Sequence, residues 1–186
     1  MKYTPLEIPN LIRISLERRS DDRGFFARLF CRAEFAQQEL TADWAQINNS
    51  LTVHKGTVRG LHFQYPPSSE VKLVRCIRGA IFDVGVDLRE GSPTFGMWAG
   101  IELSAENRDM LYLPAGFAHG FQALTDDSEI IYFNSATYAP EMESGLRHDD
   151  PDVAIRWPLP VTSLSARDQT LQSLAQLRPV PVQTLS

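Results

Sequence analysis

Across residues 48–133 the chain is a succession of short apolar runs cut by turn residues, and this pattern limits the fold more than any other feature. The runs "KLVRCIRG", "AIFDVGVDL", "FGMWAGIEL", "DMLYLPAG", "FAHGFQAL" and "EIIYFNSATY" are rich in β-branched and aromatic residues. Gly79, the segment "REGSPTFG" from Arg89 and the segment "LPAGFAHG" from Leu113 supply Gly or Pro where the chain must reverse. Strands at such short intervals predict an all-β antiparallel sandwich or barrel. Helical spacing shows only over residues 32–40 and, more weakly, 165–177, so helices are decoration.

A length of 186 residues with no linker or low-complexity stretch predicts one domain over 1–186, its core at about 9–168 and a tail at about 169–186. The closing "RPVPVQTLS" is punctuated by proline and reads as loosely ordered. A net charge of −5 provides no basic excess for a nucleic-acid partner. The local basic run Arg59, Lys72, Arg75 and Arg78 nevertheless leaves room for a small phosphorylated ligand. Cys31 and Cys76 stand in apolar contexts without metal-ligand or paired-loop spacing and read as buried thiols, which suits a reducing cytoplasm. The N-terminus lacks the apolar stretch of a signal peptide, and no run approaches the ~18 apolar residues of a membrane span.

The stretch "RGLHFQYPPSSEVKLVRCIRG", residues 59–79, places one histidine and one lysine on two strand-like runs. In a barrel every second residue faces inward. Arg59, Leu61 and Phe63 share one phase, and Gly60, His62 and Gln64 the other; Lys72, Val74 and Cys76 alternate with Leu73, Arg75 and Ile77. His62 and Lys72 can therefore face one cavity from adjacent strands. They fit half of a metal site, a catalytic pair, or two polar residues on an ordinary sheet. A barrel metal site needs three or four convergent ligands. Here Phe63 and Gln64 follow His62 and supply no second histidine, and His119 in "PAGFAHGF" is the later partner available. No metal is expected.

Six segments, "RGFF" (23–26), "KGTVRGLHFQ" (55–64), "KLVRCIRGAIFDVGVDLREGSPTFG" (72–96), "LPAGFAHGF" (113–121), "YAPEMESGLRHDDP" (138–151) and "LSARD" (164–168), resemble the dTDP-4-dehydrorhamnose 3,5-epimerase family. These are metal-independent sugar epimerases of the cupin class. The resemblance implies a jelly-roll barrel, a homodimer with strand or loop exchange, no cofactor, and a nucleotide-diphospho-4-keto-6-deoxyhexose substrate. Such chemistry needs a base for a proton beside a ketone, a group to hold the charge that develops on the ketone oxygen, and an acid on the opposite face.

By the same resemblance His62 is the base, with Asp168 fixing its tautomer, and Lys72 faces the ketone oxygen. Tyr132 is the opposite-face acid; a phenol of pKa ~10 is protonated at neutral pH. Arg59 matches a diphosphate-binding arginine, and His119 a position near the sugar or beside Lys72. Arg23, Phe26, Gln46, Asn48, Tyr138 and Glu143 fall where the family holds the nucleotide, with Tyr138 stacking on the base. Asp83 is expected to face the pocket and support the catalytic groups.

The chain also departs from the family pattern. Arg28 stands where glutamate is common, Ile47 and Asn49 where aspartate and histidine are, Phe133 where lysine is frequent, and His148 where tryptophan is usual. Arg28 either favours another nucleotide or pairs with an interface carboxylate. Rival readings are an epimerase acting at C3 or C5 alone, a 3,4-ketoisomerase, a non-catalytic nucleotide-sugar-binding cupin and a metal-dependent oxygenase.

Overall fold

In the computed structural model, which describes residues 1–181, every one of the apolar runs quoted above forms a strand. The strands, numbered along the chain, are β1 (Lys2–Pro5), β2 (Ile12–Ser15), β3 (Arg19–Asp21), β4 (Gly24–Phe26), β5 (Gln46–Thr52), β6 (Val58–Gln64) and β7 (Lys72–Arg78). They continue as β8 (Ala80–Asp87), β9 (Trp98–Ser104), β10 (Met110–Leu113), β11 (Phe117–Ala123), β12 (Ser128–Asn134) and β13 (Glu143–Gly145). A six-stranded sheet in the order β1-β2-β10-β7-β12-β5 packs over a five-stranded sheet, β13-β6-β11-β8-β9, while β3 and β4 form a separate hairpin. All of these pairings are antiparallel. The result is a cupin-like jelly roll.

Period-two patterning decides which face each side chain takes. On β7, Val74 and Cys76 enter the core between the sheets with Ile81, Leu111, Phe121 and Ile130. Their neighbour Leu73 turns outward, beneath helix α1 (Arg32–Gln37), to meet Phe35 and Tyr112. On the other sheet Leu61, Phe63, Val84 and Val86 face outward and are covered by Leu146, Val153, Leu177 and Val180 from the C-terminal segment. Each fully buried side chain of this size stabilises the fold by roughly 1.5–3 kcal/mol over its exposed state.

Helix and tail differ in part from the expectation. The helix ends at Gln37, three residues early, where Glu39 takes a left-handed conformation and the Leu40 amide closes back on the Phe35 carbonyl. Residues 165–177 form two 3-10 turns, Asp168–Thr170 and Leu174–Gln176, and not a helix. Between the turns Leu171 is extended, and Gln172 makes a parallel bridge to Leu146, which a continuous helix would forbid. Residues of the tail up to Val180 are docked: Val180 is 1% exposed and its backbone bonds Leu88 and Glu90. The rest of the expected loose tail, 182–186, lies outside the described residues. Cys76 is a buried free thiol, pushed up to about 11 by burial, whereas free Cys31 is only half-buried.

Candidate active site

Between the two sheets lies a cavity of about 560 Å³, and His62, Lys72, His119 and Tyr132 all line it. His62 and Lys72 share it as expected, but not from adjacent strands. β6 belongs to the five-stranded sheet and β7 to the six-stranded one, so the two side chains approach from opposite walls. Arg59, predicted on the phase opposite to His62, also reaches the cavity. The β6–β11 ladder explains this: His62 lies opposite His119 but Arg59 opposite Phe121, so three steps on β6 match two on β11. The bulge returns Arg59 to the inner phase. Its guanidinium is then fixed by Thr52 Oγ1 and the Leu51 carbonyl, each at 2.9 Å.

His62 donates from Nε2 to Asp168 Oδ1 at 2.6 Å, which leaves Nδ1 as the basic nitrogen. Asp168 comes from the first 3-10 turn and also accepts the Gly60 amide at 3.2 Å. Burial alone would raise its carboxyl, but the His62 hydrogen bond, the His62 charge and the Gly60 amide together hold it below the usual carboxylate range. Across the cavity Tyr132, on β12, has no hydrogen-bond partner among the described residues. Burial pushes its phenol up, against the pull of Arg59 and with a push from Glu143, so it remains a proton donor at neutral pH.

Lys72 is nearly buried and its ammonium contacts Glu70 Oε1. His119 donates from Nε2 to Asp83 Oδ1 at 2.7 Å. Asp83, fully buried, stands behind the histidine; burial raises its carboxyl, and the His119 charge and hydrogen bond oppose that rise. Glu143 sits at the cavity wall, where it accepts from the Tyr138 hydroxyl and pairs with Arg167, both at 2.6 Å. Burial raises the Glu143 carboxyl, but these two bonds bring it below its ordinary value. Gln46 accepts the Tyr138 backbone amide, and Asn48 lies opposite Tyr132 in the β5–β12 ladder; neither lines the cavity. Nor do Arg23 and Phe26. They stand exposed on the β3–β4 hairpin, and Arg23 is paired to Asp21 at 2.6 Å.

The reversed charge at Arg28 is satisfied within the chain by Glu34 of α1, at 2.6 Å. Phe133 packs on Trp44, with ring centroids 5.8 Å apart, and Asn49 donates to Glu129 at 3.1 Å. Among the cavity-lining residues that sequence reasoning did not single out are Glu70, Asn134 and Arg167. The first had a signal, because Glu70 shares the inward phase of Lys72 two residues later. Arg167 had one as well, as the neighbour of Asp168 in "SARD". Among the described residues no three His, Cys, Asp or Glu side chains converge on one point.

A cupin-like barrel that aims a His–carboxylate pair, a lysine and a half-buried phenol into one cavity is built as an enzyme that moves protons on and off carbon. The family model described as dTDP-4-dehydrorhamnose 3,5-epimerase matches residues 5–176. The chain belongs to this family of isomerases. It is 45% identical to the dTDP-4-dehydrorhamnose 3,5-epimerase of Sinorhizobium fredii, over 95% of this chain and 91% of that one. It is 42% identical to a dTDP-4-dehydrorhamnose 3-epimerase of Streptomyces niveus, over 96% and 86%. Among solved structures, the dTDP-6-deoxy-D-glucose-3,5-epimerase of Legionella pneumophila in complex with dTDP-4-keto-L-rhamnose superposes with a TM-score of 0.91 at 36% identity, covering 98% of each chain.

Proposed function

We propose that this protein epimerises a dTDP-4-keto-6-deoxyhexose at C3 and C5, and that its own side chains suffice for the chemistry without a cofactor. The observation that carries this reading is the His62–Asp168 pair, held at 2.6 Å and facing the same cavity as Tyr132. The proton on a carbon beside the ketone passes to His62 Nδ1, the C–H electron pair becomes a C=C bond, and the carbonyl π pair moves onto the ketone oxygen to give an enolate. Asp168 stabilises the imidazolium that results. Lys72 balances the charge on oxygen. Tyr132 returns a proton to the opposite face of the carbon, and solvent then restores the phenol and the free imidazole.

Arg59 holds the diphosphate, for which a guanidinium fork is suited. His119, steadied by Asp83, contacts the sugar, while Tyr138 and Glu143 line the nucleotide end and Gln46 supports Tyr138 from behind. The position of Arg23 and Phe26 supports a homodimer in which the β3–β4 hairpin completes the cavity of a second copy. The nucleotide-sugar substrate and the free cysteines fit a cytoplasmic enzyme.

The test is an NMR screen for solvent deuterium entering dTDP-, CDP-, GDP- and UDP-4-keto-6-deoxysugars. Exchange at both C3 and C5 of the dTDP sugar is expected. Binding without exchange at either carbon would make the protein a non-catalytic binder. A second reading, epimerisation at C3 alone, is favoured by the Streptomyces niveus 3-epimerase, nearly as similar to this chain as the Sinorhizobium enzyme. It predicts exchange at C3 only.

A further inference from the structure

Behind Lys72 stands a charged group to which the chemistry above gives no part. Glu70 and Lys72 form an ion pair whose side chains are 6% and 10% exposed. The other charged groups around the cavity are already engaged. On β6, Arg59 is held by Thr52 and Leu51, and His62 by Asp168. On β11, His119 is held by Asp83, and on β13, Glu143 is held by Arg167. From β12 come the phenol of Tyr132 and the amide of Asn134, which lies directly opposite Lys72 in the ladder. Among the described residues, then, Glu70 is the acid paired with Lys72. Its second oxygen and the Asn134 carbonyl oxygen are buried without partners, so acceptors crowd this end of the cavity around one ammonium.

A lysine in so enclosed a place still carries a flexible four-carbon stem that scatters its ammonium over many positions. A carboxylate in contact opposes that scatter. We propose that Glu70 is a positioning residue for Lys72: it holds the ammonium at the wall where the ketone oxygen gains charge. Glu70 acts through Lys72 and does not touch the sugar. This inference rests on the epimerase reading.

The experiment follows deuterium exchange into a dTDP-4-keto-6-deoxysugar at neutral pH. Glu70→Gln, which keeps the shape but removes the charge, is expected to lower kcat for exchange about tenfold or more. KM should stay within about twofold, because the interaction lost belongs to the transition state. Glu70→Asp retains the carboxylate and is expected to keep kcat within about threefold of its parent. In a Lys72→Met background, Glu70→Gln should leave the residual exchange unchanged, since there is no ammonium left to hold. An unchanged kcat in Glu70→Gln, or an equal loss of exchange with Lys72 already removed, overturns the proposal. A parent protein that exchanges nothing at any pH overturns the epimerase reading, and the proposal with it.

Discussion

His62 and Tyr132 face one cavity in different surroundings, and the difference allows their roles to be separated by experiment. The imidazole is hydrogen-bonded to a carboxylate, while the phenol is partly desolvated and has no hydrogen-bond partner among the described residues. Replacing His62 by Asn should therefore lower both deuterium exchange and turnover by about 10²–10⁴-fold, the usual worth of a positioned base. Tyr132→Phe should spare exchange more than epimerisation, because the proton still leaves but is not returned from the other face. Equal loss of both rates in Tyr132→Phe, followed by NMR, would remove Tyr132 from that role. Asp168 also makes a prediction about stability. Its folded-state pKa is depressed, so near and below the ordinary value of 3.8 the unfolded chain binds the proton more readily than the folded one. Its contribution is present above that value and is lost as pH falls through the lower, folded one. Asp168→Asn should accordingly flatten the dependence of thermal midpoint on pH below about 4, as a melting series would show.

At the level of elements, the contact between β6 and β11 sets where the functional side chains point. Gly60 has φ +98°, and a Cβ there would lie 2.6 Å from the His119 carbonyl oxygen and 3.0 Å from the Gly120 Cα. Gly60→Ala combines a left-handed backbone with a clash against backbone that cannot step aside. A loss of about 2 kcal/mol or more is expected in denaturant melts, together with weaker diphosphate binding as Arg59 and His62 shift. This bulge also marks the limit of what the sequence made legible. The apolar runs identified the strands, and alternation allowed His62 and Lys72 to share one cavity, because period two is a local property; Tyr132 was found through the family resemblance. Arg59 escaped alternation, since one extra residue in a ladder is fixed by the partner strand. The helix expected over 165–177 failed for a related reason. Asp168 and Gln172 are held by β6 and Leu146, contacts more than twenty residues distant that no local periodicity encodes. Glu70 was within reach of the same phase argument that found Lys72, but its role depends on a pairing that only the folded cavity displays.

For the whole molecule, the unexplained geometry is that two expected nucleotide contacts, Arg23 and Phe26, sit exposed and away from the cavity of their own chain. The side chain of Arg23 is 89% exposed, and Phe26 is 66% exposed in a hairpin with no buried face, which is costly for a residue of that size unless something covers it. If the hairpin of one copy completes the site of another, a two-fold dimer contains two sites, each drawing on both chains. Defects in His62 and in Arg23 then complement each other. His62→Asn and Arg23→Ala proteins should each be impaired alone. Once unfolded and refolded together in equal amounts, they should form mixed dimers in which one site has neither defect. With random pairing about half the dimers are mixed, so activity should return to roughly a quarter of the wild-type level. Activity after co-refolding that remains at the average of the two separate variants would show that each cavity is complete within its own chain.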